Sequence, residues 1–203
     1  MKLKKLTFKF DQIFGFRDLA FVKNEEKVFK FVEKKKMNIA RFLKPELIKL
    51  EMKTKLEFDP EQEVSFQKKL WMTKNAILEE LVNLLDRSGK VCNKKKLFID
   101  LVNREKKAST GIGKGIAVPH VRTMQARDFV MGFARSKQGY DFDALDKKLV
   151  HLFFVMVAPP YDDNLYLKVF KGLAQILQYD FLREKLLFAE TEFEIMRAIR
   201  EME

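Results

Sequence analysis

The chemistry of this chain is concentrated in a short segment that ends at His120, one of only two histidines in the sequence. Three glycines precede it at alternate positions, 111, 113 and 115. A neutral imidazole is a nucleophile that a single proton converts to a cation near physiological pH. Glycines allow the backbone to approach an anion closely and to direct N–H groups at it. This combination predicts a histidine that carries an anionic group, and it favours a phosphoryl group.

Nucleotide-binding loops also contain closely spaced glycines, but this segment lacks their other features. The pattern Gly111-x-Gly113-x-Gly115 has no final glycine of the dinucleotide fingerprint, and no strand of the required kind precedes it. It is not a P-loop either, because Lys114 is followed by glycine and not by Ser or Thr. A nucleotide site is therefore not expected here.

The other groups that could react or bind a metal have simpler interpretations. His151 begins an apolar stretch, and we expect a structural imidazole bonded to a backbone carbonyl or to Asp146. Asp141, Asp143 and Asp146 lack further ligands nearby, so they indicate a solvated turn and not a metal site. The single Cys92 excludes an intrachain disulfide framework and a thiolate metal cluster, which fits a reducing compartment. No metal and no cofactor are expected.

The formal net charge of +11 raises the question of a nucleic-acid partner. Residues 1–36 hold eleven Lys and Arg against five Asp and Glu, so this short segment carries much of the excess. Elsewhere the lysines are spread along predicted helices, which is the usual pattern of a solvated face. We therefore do not expect a nucleic-acid interface. The alternative, binding through residues 1–36, would require salt-dependent binding that is lost when they are deleted.

Length and composition fit one folded domain with an appendage. The chain has 203 residues, of which 47% are apolar, with 8 Gly and 5 Pro. This composition is typical of globular proteins and not of disorder. No apolar run reaches the roughly 18 residues of a membrane span, and no signal-peptide core follows the Lys-rich start. We expect a cytoplasmic protein with no membrane insertion.

Residues 1–36 are interpreted as a basic N-terminal extension of unknown role. Apolar residues alternate over 6–10, which predicts a strand, and recur at helical spacing after Asn24. Residues 37–203 are predicted to form an α/β domain. A segment at about 56–72 does not follow the helix and strand periodicity of that domain and is interpreted as an insertion. We expect it to be an extra packing element, with a partner surface as the alternative.

Helices and strands interleave within residues 37–203. The apolar periodicity predicts helices that begin at Thr73, Asn93, Asp163 or Asn164, and Thr191, the last with a capping box to Glu194. Gly89 is predicted to end the first of them. Residues 129–134 and 150–158 are predicted strands, the second apolar almost throughout and therefore central and covered on both sides. We predict a mixed, partly parallel sheet of about five strands with helices on both faces.

The segment around His120 resembles the signature of the IIA phosphocarrier domains of the bacterial sugar phosphotransferase system (PTS), fructose/mannitol type, a family that includes a nitrogen-regulatory branch. The similar residues are REK at 104–106, STGIG at 109–113 and GIAVPH at 115–120. Further blocks that resemble the family are YDFDALD at 140–146, VHLFF at 150–154, and LYLK at 165–168 with LA at 173–174. The resemblance covers about residues 37–203, without the insertion.

The resemblance implies a phosphoryl acceptor, a charge partner and a set of hydrogen-bond donors. His120 would take the group from a phosphohistidine on the small carrier HPr or on its nitrogen-branch counterpart. Arg104 stands at the position of the family's active-site arginine, where a guanidinium can pair with phosphoryl oxygens. The anion would be bound by Ser109, Thr110 and the amides near Gly111 and Gly113. No metal or nucleotide is required, because the phosphoryl group arrives already activated.

The resemblance also implies the kinds of partner that lie downstream. In sugar transport, the group would pass from His120 to a cysteine of a IIB protein. A regulatory member would instead signal its phosphorylation state to a transporter or a kinase. The alternative function is a regulatory binding module with impaired phosphotransfer, which binds its partner independently of phosphorylation.

One position departs from the family. Many members have a second active-site histidine where this chain has Tyr166. A tyrosine can donate a hydrogen bond to a phosphoryl oxygen or to the His120 ring, but it cannot become a cation. A role in plain helix packing is an equal alternative. The acceptance of a phosphoryl group is therefore a firmer expectation than its onward donation.

Overall fold

The computed structural model describes residues 38–55 and 65–203. The predicted strand at 6–10 and the predicted helix after Asn24 lie outside the described residues. After a short 3-10 turn at Ala40–Phe42, the elements follow in the order β1 (Leu43–Lys49), α1 (Phe66–Asp86), α2 (Lys94–Lys107), β2 (Gly111–Gly113), β3 (Ile116–Ala117), β4 (His120–Arg122), β5 (Val130–Tyr140), β6 (Val150–Ala158), α3 (Asp163–Leu177), α4 (Asp180–Phe188) and α5 (Glu192–Arg200).

Helix α1 begins two turns earlier than its apolar periodicity predicts. Its N-cap is Ser65, whose hydroxyl accepts a hydrogen bond from the amide of Lys68. The prediction of a cap at Thr73 is wrong, because the Thr73 hydroxyl lies inside the helix and donates to the carbonyl of Lys69. Residues 66–72, which we assigned to the insertion, are therefore the first two turns of α1. Whether 56–72 is an insertion relative to the family stays a prediction.

The predicted starts of α2 and α5 are confirmed by side-chain caps, and α3 begins at Asp163 as predicted but without such a cap. The Asn93 side chain accepts from the amide of Lys96 at the start of α2, and the Thr191 hydroxyl accepts from the amide of Glu194 at the start of α5. These bonds satisfy amides that have no partner within the helix. The reciprocal half of the predicted capping box is wrong, because the Glu194 carboxylate accepts from the amide of Glu190. Gly89, with a φ of 68°, follows the end of α1 as predicted.

The sheet is mixed and has six strands, one more than predicted. Its order is β1-β5-β6-β3-β2, and β4 also pairs with β6. Strand β6 runs antiparallel to β5 and parallel to β3 and β4, while β1 is parallel to β5. The glycine segment accounts for the additional strands, since it folds as the short strands β2 and β3 joined by a turn. In that turn Gly113, Lys114 and Gly115 all have positive φ, which glycine adopts without strain.

Strand β6 is central and covered on both faces, as its apolar sequence predicts. Phe153, Val155 and Val157 belong to the core that α1 and α2 form against the sheet. Because successive side chains of a strand point to opposite faces, Phe154 and Met156 face the other way, and they are also fully buried. Helix α4 contacts β6, and helix α5 contacts the edge strand β1. The register places His120 of β4 opposite Met156 of β6, so the candidate acceptor is paired to the central, buried strand.

Within residues 38–55 and 65–203, no helix is both long enough and apolar enough to cross a bilayer.

Candidate active site

The position of His120 is fixed by a backbone contact to one of its ring nitrogens. It is the first residue of β4, follows Pro119, and has 6% of its surface exposed. Its Nδ1 lies 2.6 Å from the carbonyl oxygen of Val118. Since a carbonyl can only accept a hydrogen bond, Nδ1 carries the proton and Nε2 carries the lone pair. The site therefore presents Nε2 as the nucleophilic nitrogen.

Arg104, in the last turn of α2, faces that nitrogen. Its Nη2 lies 3.0 Å from His120 Nε2, and its Nη1 donates to the carbonyl of Ala108 at 3.0 Å. Burial lowers the pKa of His120, the charge of Arg104 lowers it further, and the bond to Val118 offsets only part of this, which leaves a pKa of about 4. The imidazole is thus neutral at physiological pH. The structure brings together the two residues that the resemblance paired across sixteen positions of sequence.

Two aromatic rings from α3 form a wall beside the imidazole. The ring centroid of Tyr166 lies 6.2 Å from that of His120, and the ring of Phe170 lies 5.2 Å away in an edge-on arrangement. Burial raises the pKa of Tyr166, and the charges of Arg104 and Arg122 offset this only in part. The phenol is therefore protonated at physiological pH. We did not identify Phe170 from the sequence. Its spacing of four residues from Tyr166 is the available signal, since it places both side chains on one helix face.

An open groove lies beside this site and shares Arg104 with it. Its lining includes the basic residues Arg104, Lys107 and Arg122, one carboxylate, Asp100, and the exposed side chain of Met124. Three cations against one carboxylate make the groove favourable for an anionic group.

The candidate phosphoryl-binding residues Ser109, Thr110 and Gly111 have other bonds in this structure. The Ser109 hydroxyl donates to the carbonyl of Phe142 at 3.0 Å and accepts from the amide of Gly111. The Thr110 hydroxyl donates to the carboxylate of Glu105 at 2.6 Å. Their role toward an anion stays a prediction.

The two glycines of this set lie in tight places. A Cβ on Gly111 would approach the Cα of Ala144 to 2.8 Å, and one on Gly113 would approach the carboxylate of Asp146 to 3.2 Å. The observed geometry therefore requires glycine for close packing and for the β2–β3 turn.

Sequence reasoning missed a buried ion pair behind the site. The ammonium of Lys74 in α1 lies 2.7 Å from the carboxylate of Glu105 in α2, and both side chains are almost fully buried. We expected the helix lysines to lie on solvated faces, and Lys74 contradicts this. Its only sequence signal is its position one turn before Leu78 and three residues before Ile77, which places it on the apolar stripe of α1.

The second histidine and the acidic residues have structural roles. His151 Nδ1 lies 3.1 Å from the carbonyl of Ser136, which confirms bonding to the backbone and not to Asp146. The Asp146 carboxylate instead accepts from the amides of Lys114 and Lys148. Among the described residues, no group of three or more His, Cys, Asp or Glu side chains is arranged to hold a metal ion.

The comparison with protein families decides the assignment. Residues 60–202 match the model described as "Phosphoenolpyruvate-dependent sugar phosphotransferase system, EIIA 2". The chain belongs to this family. EIIA domains are phosphotransfer components of the PTS, and the nitrogen branch of the family is regulatory.

Individual relatives of this EIIA protein come from both branches. It is 35% identical over 128 residues to the fructose-specific EIIABC component of Bacillus subtilis, covering 63% of this chain but only 20% of that relative. It is 34% identical over 130 residues to the fructose-specific EIIA component of Haloferax volcanii, covering 64% of this chain and 84% of the relative. The crystal structure of the nitrogen regulatory protein IIA-Ntr from Neisseria meningitidis superposes with a TM-score of 0.66 at 28% identity, covering 80% of this chain and 99% of that one.

Proposed function

We propose that this EIIA protein accepts a phosphoryl group on Nε2 of His120 from a phosphohistidine of HPr or of its nitrogen-branch counterpart. The observation that carries the proposal is the pairing at His120, where one nitrogen is tied to a carbonyl and the other faces a guanidinium. The carbonyl holds the imidazole in one tautomer, while burial and the charge of Arg104 lower its pKa and keep it neutral. These are the conditions that a nucleophile for an incoming anion requires.

The transfer balances without any further reactant. The lone pair of His120 Nε2 forms the new N–P bond while the N–P bond of the donor breaks in line with it. The donor, a phosphoimidazole protonated on its other nitrogen, leaves as a neutral imidazole. The His120 ring keeps its Nδ1 proton and gains positive charge, which the Val118 carbonyl stabilises by accepting that N–H.

Arg104 has a direct role in this step. In the present structure its guanidinium donates to the lone pair of His120, so the contact must shift when the phosphoryl group arrives. The phosphoryl oxygens then take the place of the ring nitrogen as acceptors, and the planar guanidinium suits two of them. Arg104 thereby balances the charge that develops in the transition state.

The experiment that tests this function is phosphorylation by a labelled donor. Incubation with radiolabelled phospho-HPr, regenerated from phosphoenolpyruvate, is expected to give an acid-labile, base-stable label on the intact chain. His120→Ala should give none, while His151→Ala, a matched loss of the other imidazole, should keep it. Absence of label on the intact chain with both HPr and a nitrogen-branch donor, or label that persists in His120→Ala, would overturn the proposal.

Downstream, we propose that phosphorylation changes which partner this protein binds. A phosphoryl group on His120 adds about −1.5 to −2 charges next to Arg104, which also lines the basic groove with Lys107 and Arg122. The partner is a IIB protein or a regulated transporter or kinase; the Bacillus relative is named as an EIIABC component. Equal affinity of a partner for the phosphorylated and unphosphorylated forms would instead favour a phosphorylation-independent binding module.

A further inference from the structure

The buried pair of Lys74 and Glu105 is unusual because nothing in the proposed transfer uses it. Lys74 and Glu105 each have only 2% of their surface exposed. Removing two charges from water is costly, and well-packed apolar residues often stabilise a protein as much or more. The Lys74 ammonium is also held between two aromatic rings, 5.1 Å from the centroid of Trp71 and 4.9 Å from that of Phe142. Packing alone therefore does not explain this ion pair.

The Glu105 carboxylate connects this pair to the segment that leads to the active site. Its oxygens accept the backbone amide of Thr110 at 3.1 and 3.2 Å and the Thr110 hydroxyl at 2.6 Å. The carboxylate thus accepts from Lys74 and twice from Thr110, and this satisfies a buried charge well.

From Thr110 the hydrogen bonds continue to the acceptor histidine. The Thr110 carbonyl accepts from the amide of Val118 at 2.9 Å, and the Val118 carbonyl accepts from Nδ1 of His120 at 2.6 Å. An unbroken path therefore runs from the buried pair to the atom that sets the tautomer of His120. Glu105 also directly follows Arg104 near the end of α2, so the same anchor holds the other member of the site.

We infer that Lys74 and Glu105 are positioning residues for phosphoryl transfer: the pair anchors Thr110 and the last turn of α2, and thereby holds His120 and Arg104 at bonding distance. This inference rests on the proposed acceptor role of His120 for its kinetic consequence. Its structural consequence, the fixed tautomer of His120, holds whatever the protein transfers.

A different carboxylate, that of Glu80 on α1, provides a matched control. Glu80 accepts from the ammonium of Lys49, from the amides of Lys53 and Thr54, and from the Thr54 hydroxyl. This set of partners is closely similar in kind to that of Glu105, but it anchors the segment after β1 and not the segment that leads to His120. Glu80→Gln therefore measures the cost of disturbing such an anchor without disturbing the site.

The experiment compares Glu105→Gln with Glu80→Gln in the full chain. Both are expected to destabilise the protein, as measured by urea unfolding. Only Glu105→Gln should lower the single-turnover rate of phosphoryl transfer at saturating donor, by about tenfold, with the donor concentration for half-maximal rate changed by less than about twofold. A loss confined to the rate is expected of residues that hold the reacting groups in place.

A second readout is independent of any phosphoryl donor. Nitrogen-15 NMR of the imidazole is expected to show a single Nδ1–H tautomer for His120 in the wild type and in Glu80→Gln, and a mixture of tautomers in Glu105→Gln. If Glu105→Gln fails to fold, the double variant Lys74→Met/Glu105→Gln leaves no buried charge unpaired and is measured in its place, with the same expected results.

The two readouts separate failure of this inference from failure of the proposed function. A wild type that takes no label while the tautomer change appears in Glu105→Gln refutes the acceptor role and keeps the positioning role. The positioning role is refuted if the Glu105 variant folds and has the same transfer rate and the same His120 spectrum as Glu80→Gln. The ion pair is then merely structural.

Discussion

The two histidines of this protein lie near opposite ends of β6 and show how one side-chain type is put to two uses. Each directs Nδ1 to a backbone carbonyl, His120 to Val118 and His151 to Ser136. They differ in what surrounds the rest of the ring. His120 meets the guanidinium of Arg104 at 3.0 Å, whereas the ring of His151 packs under Gly139, where a Cβ would approach Cε1 to 2.6 Å.

This difference teaches that fixing the tautomer does not by itself make a histidine reactive. A bond from Nδ1 to a carbonyl is a common way to satisfy a half-buried imidazole. The function proposed for His120 requires in addition a cation at Nε2, which Arg104 in the last turn of α2 supplies at the start of β4. At the other end of β6, the neighbours of His151 make it part of the packing.

The largest effect, on stability, is expected at the His151 end of β6. Gly139 has a φ of 76° and no room for a Cβ above His151. Gly139→Ala should lower the free energy of unfolding by about 3 kcal/mol, because overpacking adds to the strain of a positive φ. Urea unfolding measures the loss, and labelling of His120 should be unaffected in the folded protein.

Gly89 separates the two contributions to that loss. Its φ of 68° is similar, but a Cβ there would meet nothing within 4 Å. Gly89→Ala should therefore cost only about 1 kcal/mol, which is the backbone contribution alone. Equal losses for the two variants would show that His151 does not constrain Gly139.

At the His120 end, a change in pH should produce a loss of similar size. The pKa of His120 is about 4 in the folded protein against 6.5 when unfolded, so the unfolded chain binds more protons between these values. Stability should therefore fall as the pH is lowered from about 7 to about 4, by about 3 kcal/mol from this group. His120→Gln removes the proton site, and the difference between wild type and variant in urea unfolding isolates it. An identical pH dependence of the two would contradict the shifted pKa.

Arg104 is expected to have the next largest effect, on the rate of transfer. Arg104→Gln removes the charge that balances the phosphoryl group and should slow labelling of His120 by about 100-fold, a cost typical of losing one donor to a developing anion. The same change should raise the pKa of His120, because the Arg104 charge contributes to lowering it. Rapid-quench labelling and an NMR titration measure the two effects. Lys106→Gln, an exposed charge of the same helical turn, serves as the control, and an equal slowing there would indicate a general electrostatic effect.

The sequence predicted those parts of this structure that depend on local patterns. The caps at Asn93 and Thr191 and the central strand β6 follow from hydrogen-bonding side chains and from apolar runs, and both signals are contained in a few neighbouring residues. The start of α1 was missed because Leu70 is the one buried residue among its first eight, and the next buried position is Lys74, a lysine that interrupts the apolar stripe.

The site was predictable only where a motif encoded it. The pairing of Arg104 with His120 came from the resemblance, since nothing in a Lys-rich helix end singles out one cation. Lys74 and Phe170 were missed because burial of a lysine, and the approach of one ring to another, are decided by how α1 and α3 pack and not by their own sequences. The two histidines likewise differ only in tertiary neighbours.

Tyr166 is expected to have the smallest effect and to show how the His120 end differs from a site with two histidines. The phenol stays protonated at physiological pH because burial raises its pKa, so it can donate a hydrogen bond but adds no charge. Tyr166→Phe keeps the ring packing and should slow labelling by only about threefold, the worth of one neutral hydrogen bond.

The complementary change, Tyr166→His, tests the same idea through pH. With His120 neutral above about pH 5 and Arg104 always charged, the wild-type site contains no group that titrates between pH 5.5 and 8. The rate of phosphoryl acceptance should therefore be nearly constant over this range, measured with a donor whose own pH dependence is known. Tyr166→His introduces an imidazole next to the phosphoryl position, and the rate should rise as that group gains its proton near pH 6.5. A wild-type rate that already bends near pH 6.5 would contradict the lowered pKa of His120. A Tyr166→His rate that stays flat would show that residue 166 acts only through helix packing, so that the charge of Arg104 alone distinguishes His120 from His151.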